Sequence, residues 1–217
     1  MNFPDKVTLT MKDNQKLVIK EMITLVYSMS RLSGGKATLR EAETVILGSD
    51  VYGLSMEDTQ LIRRLQSAVE LVIRNDHPGS VEILSRINGL VTMASSLKAG
   101  QLRKAPFKVV ATGRMIPAAD EAVVANAVEG ILHTEDSATL KALRLILVIV
   151  NQQFYADANE ATAFLFANYV MVHAGAGMIM VADEKLTAFR QLMAAYDGID
   201  DEPPLKWLYK NCVISDH

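Results

Sequence analysis

One segment of the sequence carries the residue types that bind anions and metal ions. Asp157, Ala158 and Asn159 stand directly before a predicted helix and shortly after Gln153 and Tyr155. Backbone N–H groups at a helix N-terminus attract phosphate, and a carboxylate beside them can hold a metal ion. The same residues also suit an ordinary N-cap, in which Asp157 or Asn159 accepts hydrogen bonds from free N–H groups. The segment therefore predicts either a metal–phosphate nest or a simple helix cap.

The other residues that could do chemistry form no recognisable site. The four histidines, His77, His133, His173 and His217, are far apart, and no HxxxH or HExxH spacing is present, which argues against a histidine metal site. The sequence also lacks Walker A, dinucleotide-binding and GxSxG motifs. Cys212 is the only cysteine, so an internal disulfide and a CxxC zinc site are excluded, and we expect a packed thiol in a reducing compartment.

Composition excludes several broad classes of protein. The 217 residues have a net charge of −3 and a pI near 5.8, whereas general nucleic-acid and membrane-surface binders carry a basic excess. Half of the residues are hydrophobic and 22% are charged, which is enough apolar material for a sizeable core. The aliphatic run at residues 145–150 is too short to span a bilayer, and no apolar signal segment is visible at the start. We therefore expect a cytoplasmic protein that binds neither nucleic acid nor membranes.

Helical periodicity dominates the chain, with apolar residues at three- and four-residue spacings. Thr38 and Glu41 form a capping-box pattern, while Pro203 and Pro204 fit only the first turn of a final helix. Alternating residues between glycines within 100–117 predict a short strand or hairpin. The predicted helices lie at about 13–31, 38–47, 55–73, 80–97, 118–131, 137–150, 162–173, 183–196 and 202–212. This pattern predicts one all-α domain with a small β-hairpin.

The segment 153–163 resembles the signature of the Fic/Doc (Fido) superfamily and aligns with it without a gap. That signature reads His, any residue, Phe, any residue, Asp or Glu, Gly or Ala, Asn, Gly or Lys, Arg, and Thr or Ala. Tyr155 takes the aromatic position, Asp157 takes the acidic position, and Ala158 and Asn159 take the next two.

Three further stretches are similar to family segments in the same order and spacing. They are Tyr27–Gly35 followed by Thr38–Glu41, the turn Gly48–Ser55, and Ala99–Arg103 followed by Val109–Gly113, which matches the family's flap hairpin. The resemblance covers about residues 27–196. It implies a single Fic-like helical domain over residues 1–217, with an N-terminal helix at about 13–31, a flap at about 100–116 and a C-terminal helix at about 202–212.

The resemblance implies transfer of AMP from ATP to a hydroxyl group of a target protein. In the family, the motif histidine deprotonates that hydroxyl, the acidic residue holds Mg²⁺, and the arginine clamps a terminal phosphate. Carried onto this sequence, Asp157 would hold Mg²⁺, and Ala158, Asn159 and Glu160 would contact ATP if the nucleotide site is retained. The family's flap pairs with the target chain as an added strand, which assigns partner binding to the following residues: Arg103, Lys108, Val109, Val110, Thr112 and Gly113.

This sequence departs from the signature at the residues that perform the chemistry. Gln153 holds the histidine position, and an amide cannot act as a general base near neutral pH, a loss that lowers rates by about 10²–10⁴. Ala161 holds the arginine position, which removes the bidentate phosphate contact. Glu160 replaces a small residue of the phosphate cradle, where its carboxylate would repel phosphate. A remodelled site would leave Glu160 as a carboxylate base and Tyr155 as a source of a hydroxyl.

A fourth departure concerns an inhibitory glutamate that pairs with the motif arginine in many family members. Counted back from Thr38 and Leu39 with a one-residue gap, its position falls on Ser33. The inhibitor would then be lost together with the arginine that it binds.

Three hypotheses follow from this pattern. The first is a catalytically inactive Fic-like protein that binds a protein partner through the old cleft and the flap. The alternative is a divergent nucleotide-binding transferase that uses Mg²⁺ and a phosphate-containing donor at a remodelled site. The third is a scaffold that pairs with an active relative or forms a homodimer. The first hypothesis predicts an acidic partner because the flap region carries four basic residues, Arg103, Lys104, Lys108 and Arg114.

Overall fold

The computed structural model describes residues 3–74, 77–93, 97–109 and 113–214. Within these ranges the chain forms ten α-helices, one 3-10 turn and four two-residue strands. The helices are α1 (Met11–Lys20), α2 (Met22–Leu32), α3 (Leu39–Ile46), α4 (Met56–Arg74), α5 (Val81–Thr92), α6 (Glu121–Leu132), α7 (Ala138–Gln152), α8 (Asn159–Ala174), α9 (Leu186–Ala195) and α10 (Glu202–Asn211). The strands are β1 (Phe107–Lys108), β2 (Met115–Ile116), β3 (Met178–Ile179) and β4 (Val213–Ile214), and the 3-10 turn is Asp183–Lys185. The predicted all-α class with a small hairpin is confirmed.

Capping residues explain where several helices begin. The Thr38 hydroxyl accepts a hydrogen bond from the Glu41 N–H at 3.3 Å, and the Glu41 carboxylate accepts one from the Thr38 N–H at 2.7 Å. This reciprocal arrangement is the predicted capping box at the start of α3. Ser137 caps α7 by accepting from the Leu140 N–H at 3.0 Å, and both prolines lie in the first turn of α10, as predicted.

The longest buried surfaces belong to α7 and α8. Helix α8 is buried nearly all round, and its largest side chains, Phe164, Phe166 and Tyr169, are at most 1% exposed. Helix α7 packs along α8, while α2, α4 and α5 pack against other faces of α8. The loop 153–158 joins α7 to α8 and is therefore held at both ends by the core.

The structure differs from the sequence-based prediction at several helix boundaries. The single helix predicted at 13–31 is two helices, α1 and α2, separated at Glu21, which has φ −94° and ψ 9°. Helix α5 ends at Thr92 rather than near residue 97, and α8 begins at Asn159 rather than Thr162. Apolar periodicity continues across Glu21, so a local break that preserves the buried face leaves no sequence signal.

A second small sheet was not predicted. Strands β3 and β4 pair antiparallel, with Met178 opposite Ile214 and Ile179 opposite Val213. Asn168 of α8 holds β3 in place, since its amide accepts from the Ile179 N–H at 2.9 Å and donates to the Ile179 carbonyl at 2.7 Å. Two-residue strands are too short to show an alternating pattern, so their position depends on such contacts.

The flap hairpin is formed by β1 and β2, which pair antiparallel with Phe107 opposite Ile116 and Lys108 opposite Met115. The Val109 N–H donates to the Arg114 carbonyl at 2.8 Å. In this register the N–H and C=O groups of Lys108 point away from β2, because bonded and non-bonded pairs alternate along an antiparallel ladder. The hairpin predicted within 100–117 is confirmed.

The structure shows how Cys212 is packed and how long and how apolar the described helices are. The Cys212 thiol is buried, and burial raises its pKa to about 12, as expected of a packed, unreactive cysteine. Among the described residues, no helix combines the length and the apolar character needed to cross a bilayer.

Candidate functional site

The motif loop, residues 153–158, has an unusual backbone. Gln153 (φ 49°) and Ala158 (φ 57°) are the non-glycine residues with positive φ in the described chain. Such conformations cost about 1 kcal/mol or more each and persist only where the surroundings impose them. The two residues bracket the loop, so the loop turns sharply at the end of α7 and again at the start of α8.

The Gln153 amide is fully engaged within the protein. Its Nε2 donates to the Val150 carbonyl at 2.7 Å, and its Oε1 accepts from Asn159 Nδ2 at 3.1 Å. The side chain therefore fastens the end of α7 to the start of α8. An amide held in this way has no free basic nitrogen to take a proton from a substrate.

Asn159 is a structural residue of the loop. It is 4% exposed. Its Oδ1 accepts from the Tyr155 N–H at 2.9 Å, and its Nδ2 donates to the Tyr155 carbonyl at 2.8 Å. Together with the contact to Gln153, these bonds use the side chain's hydrogen-bonding capacity inside the loop. The predicted contact of the Asn159 side chain with phosphate would require these bonds to break.

Tyr155 points into the core. It is 1% exposed, and its hydroxyl lies 3.0 Å from the Ser85 hydroxyl. Burial raises the pKa of the Tyr155 phenol to about 12. The buried Tyr155 hydroxyl is not accessible to a substrate. A remodelled site therefore cannot use it.

Asp157 is exposed, and its Oδ1 accepts a hydrogen bond from the Ala158 N–H at 2.7 Å. Ala158 occupies the N-cap position of α8, which has no side-chain cap, so the predicted capping by Asp157 or Asn159 is not formed. The helix cap is thus absent, and the metal–phosphate nest stays a prediction for an uncapped helix start with one exposed carboxylate beside it.

Glu160 turns away from the loop toward α9. Its carboxylate lies 3.8 Å from Arg190 Nε. Burial raises the pKa of Glu160, and the positive charge of Arg190 opposes that shift. Arg190 also donates to the carbonyls of Arg31 and Leu32 at 3.2 and 3.3 Å, which ties α9 to the end of α2.

Ala161 is completely buried in the core. The position that the resemblance assigns to the family's phosphate-binding arginine is therefore a core position in this protein. A guanidinium placed there would need a route to solvent or a buried anion.

The structure brings Ser33 and the motif loop together. Ser33, Asp157 and Ala158 line one cavity of about 90 Å³, together with Glu57 and Arg64 of α4. The assignment of the inhibitory position to Ser33, made by counting back from the capping box, stays a prediction.

The residues of this cavity do not fit the Mg²⁺ and ATP that the resemblance implies. Pockets for nucleotide-sized ligands usually exceed about 300 Å³, several times the volume found here. Within the described ranges, no group of three His, Cys, Asp or Glu residues could hold a metal ion. Asp157 is thus a lone exposed carboxylate of the loop, and metal binding by it stays a prediction.

One predicted partner-binding residue of the flap is buried instead of exposed. Arg103, predicted to contact a partner, is 7% exposed. Its Nε donates to the Gln153 carbonyl at 2.9 Å, and its Nη2 donates to the Pro117 carbonyl at 2.8 Å. Because its guanidinium binds the protein's own backbone, Arg103 anchors the flap to the motif loop instead of facing a partner.

The other predicted flap residues are distributed as follows. Lys108 and Gly113 are exposed, and Val109 is half-buried. Val110 and Thr112 lie outside the described residues. Arg114, counted in the basic character of the flap, donates to the Asn151 side chain and carbonyl at 3.1 Å each, so it too holds the end of α7.

Sequence reasoning missed Arg64. This residue lies three positions after Leu61 and four before Ala68, which are both buried, so the helical period places Arg64 at the edge of the buried face of α4. An arginine at such a spacing is a signal that could have been noticed.

The fold is similar to those of solved Fic-domain proteins. Fic-1 from C. elegans has a TM-score of 0.75 and 16% identity, covering 93% of this chain and 66% of that chain. A Fic domain containing signaling protein from Bacteroides thetaiotaomicron matches with a TM-score of 0.74 and 16% sequence identity. The match covers 94% of this chain and 87% of that chain. A Fic family protein from Desulfovibrio desulfuricans matches with a TM-score of 0.69 and 13% sequence identity. The match covers 95% of this chain and 73% of that chain. This chain thus spans about two thirds of the solved worm chain, which comprises residues 134–508 of Fic-1.

Comparison by sequence adds nothing further, since no protein-family model and no curated protein matches the chain. At identities of 13–16%, the structural likeness establishes the fold alone. That likeness extends over at least 93% of the chain, and the protein is therefore a Fic-fold protein.

Proposed function

We propose that this Fic-fold protein acts by binding a protein partner and does not transfer AMP. The proposal rests on the contacts of Gln153 and the burial of Ala161, which hold the histidine and arginine positions of the resemblance. The Gln153 amide is bonded to Val150 and Asn159, and Ala161 is buried in the core. Neither a general base nor a phosphate clamp can come from these residues.

The two residues suggested for a remodelled site, Glu160 and Tyr155, are poorly placed to replace the missing base. The Glu160 carboxylate pairs with Arg190, and the Tyr155 hydroxyl is buried against Ser85. Asp157 is exposed, but its Oδ1 is directed at the adjacent N–H of Ala158. Adenylyl transfer would therefore lack proton abstraction as well as phosphate binding.

The flap offers a surface for a partner. Lys108 is exposed, and in the register of the hairpin its N–H and C=O groups face the open edge of β1. An extended chain can add to such an edge through backbone hydrogen bonds. Lys104 is also exposed, so the edge carries positive charge and favours an acidic segment. Arg103 and its backbone contacts hold the flap in position for this role.

The absence of transfer is tested with ATP. Calorimetric titration with ATP, with and without Mg²⁺, is expected to show no magnesium-dependent binding, and incubation with labelled ATP should leave protein substrates unlabelled. Magnesium-dependent binding that Asp157→Ala weakens would instead favour a nucleotide-using enzyme.

Strand addition is tested at one backbone N–H. An isotope-labelled chain is titrated with an acidic strand-forming peptide and with a lysine-substituted counterpart, and flap amide shifts are followed. Lys108→Pro removes the outward N–H but leaves the bonds of Phe107 and Val109 to β2, whereas Lys108→Ala keeps the N–H and serves as the matched control. We expect Lys108→Pro to abolish the shifts and Lys108→Ala to reduce them only moderately. Equal shifts with both peptides, or with both variants, would contradict strand addition.

A further inference from the structure

A groove runs along helices α6 and α7, starting at the flap strand β2. Its walls are two stripes of residues at four-residue spacing, Val123, Ala127 and Ile131 on α6 and Arg144, Val148 and Gln152 on α7. Residues four apart lie on one face of a helix, so each stripe is continuous. Each stripe covers eight residue steps of about 1.5 Å, which makes the groove about 12 Å long.

Two cavities of about 450 and 350 Å³ lie in this groove. The larger cavity reaches Ile116 of β2, and the smaller one reaches Tyr196 after α9. Both are lined by Ala127 and Val148, which are apolar and only half-buried. The two cavities therefore form one groove with an apolar middle.

Helix α6 has more apolar surface than the core covers. Val124 and Val128 are at most 1% exposed and hold α6 against the core. The adjacent Val123 is 64% exposed, and Ala127 and Ile131 are half-buried. A helix that covered the core alone would carry polar residues at these flanking positions. A continuous apolar stripe beside a groove is typical of an interaction site, unlike a single exposed valine.

Acidic residues stand at both ends of the groove. Asp120 and Glu121 lie at the flap end, where Asp120 also lines the larger cavity. At the other end, four of the six residues at 197–202 are acidic, and one of them, Asp201, lines the smaller cavity. All of these acidic residues are exposed.

Three basic residues near the groove are engaged within the protein. Arg144 forms an ion pair with Asp136, and Lys206 forms one with Glu202 at 2.5 Å. Arg114 donates to the end of α7. These contacts leave the ends of the groove with an excess of negative charge.

The Tyr196 phenol lies in this negative field. Its hydroxyl donates to the Asp201 carboxylate. Burial raises the pKa of Tyr196, and Asp201 and Asp197 raise it further, although Arg114 opposes them. Such a field attracts a basic partner and repels an acidic one.

An α-helix fits this groove better than an extended chain. The walls are themselves α-helices, whose backbone groups are paired inside each helix. An extended chain over an apolar floor would leave buried N–H and C=O groups without partners, whereas a helix satisfies them internally. Helices dock in such grooves through apolar residues at positions i, i+4 and i+7.

We propose that the groove between α6 and α7 binds a basic amphipathic helix of a protein partner. The apolar face of that helix lies along Val123, Ala127 and Val148, and its basic residues meet the acidic ends of the groove. This site goes beyond the proposed strand addition at the flap, and neither depends on the other.

The test uses a helical peptide of about 15 residues that has leucines along one face and lysines elsewhere. The methyl-labelled protein is titrated with this peptide, and the methyl resonances of Val123, Ile131 and Val148 are followed by NMR. We expect saturable shifts at these methyl groups. A permuted peptide without a common leucine face, and a peptide with glutamates in place of the lysines, should each bind at least about tenfold more weakly. Equal affinity of either peptide, or no saturable shift in the groove, would overturn the proposal.

Two substitutions by arginine locate the binding site. Val123→Arg places bulk and positive charge in the groove at an exposed position and should weaken binding at least about tenfold without loss of stability. Ile19→Arg is the matched control, because Ile19 is 55% exposed on α1 and does not line the groove. Binding should be unchanged in Ile19→Arg. Equal weakening in both variants would reduce the effect to general charge.

The acidic ends are tested separately. The double variant Glu121→Gln, Asp200→Asn removes one charge from each end and should weaken binding about threefold to tenfold at low salt, but hardly at high salt. The double variant Glu43→Gln, Glu184→Gln removes two exposed charges elsewhere and should leave the affinity unchanged. Equal losses in the two double variants would contradict the role of the ends.

A second copy of this chain is the other possible occupant of the groove. Sedimentation of the free protein and of Val123→Arg distinguishes it, and we expect both to be monomers. A dimer that Val123→Arg dissociates would overturn the proposal, because the groove would then be covered by another copy.

Discussion

Gln153 and Asn159 are joined by a hydrogen bond of 3.1 Å between Asn159 Nδ2 and Gln153 Oε1. The bond crosses the motif loop and connects the end of α7 to the first residue of α8. The resemblance to the Fic/Doc superfamily assigns Gln153 to the position of the family's catalytic histidine. In this protein the position supports the loop.

The coupling between these two amides is measurable. We expect Asn159→Ala to lower the free energy of unfolding by about 2–3 kcal/mol, because it also leaves the Tyr155 backbone groups unpaired, and Gln153→Ala to lower it by about 1 kcal/mol. The double variant should be less damaging than the sum by about 1 kcal/mol, as urea denaturation of all four proteins can determine. Strictly additive losses would show that the two side chains act independently.

Restoring the motif arginine is expected to damage the fold. Ala161→Arg places a guanidinium at a completely buried position and should lower the free energy of unfolding by about 3 kcal/mol. Ala156→Arg, at an exposed position of the preceding motif loop, should change it by less than about 0.5 kcal/mol. The triple variant Gln153→His, Glu160→Gly, Ala161→Arg should transfer no AMP. Transfer by a stably folded triple variant would show that only the side chains, and not the geometry, had been lost.

Arg103 should matter for stability more than its basic neighbour does. Arg103→Ala leaves the carbonyls of Gln153 and Pro117 without their donors, and we expect a loss of about 2–4 kcal/mol in unfolding free energy. Lys104→Ala changes an exposed side chain and is expected to be neutral. Thermal and urea unfolding of the two variants makes the comparison. Similar stability of both would mean that the flap is not anchored through Arg103.

The Glu160 carboxyl should make stability depend on pH. Its folded pKa is raised above the ordinary value of 4.5, chiefly by burial, so it binds its proton more tightly in the folded state. Its contribution is fully present below about pH 4.5 and is lost as the pH rises through the raised folded pKa. Glu160→Gln should therefore be more stable than the parent at pH 7 and lose that advantage at pH 4.

Urea denaturation at the two pH values tests this, with Glu43→Gln on the exposed side of α3 as the control. An advantage of Glu160→Gln that is the same at both pH values would exclude titration of this carboxyl as the cause. A loss of stability at pH 7 would mean that the ion pair with Arg190 outweighs the burial of the charge.

Local chemistry was enough to predict a large part of the fold. Thr38 and Glu41 predict the start of α3, because a capping box depends only on two residues that are three positions apart. Glycine-bounded alternation predicts the flap hairpin, and the ungapped match at 153–163 places the motif loop between two buried helices. The Fic fold itself was implied by the resemblance to the Fic/Doc superfamily, and the structural comparisons confirm it.

Only the tertiary structure decided which charged groups face outward. Arg103 looks like one more basic residue of an exposed hairpin, yet it is buried because the carbonyls of residues 117 and 153 converge on it. The Glu160 carboxylate forms an ion pair with Arg190, which lies thirty positions further along the chain. Arg64 reaches the motif loop from α4. These placements depend on contacts between segments distant in sequence, and spacing along the chain records only neighbours within a few residues.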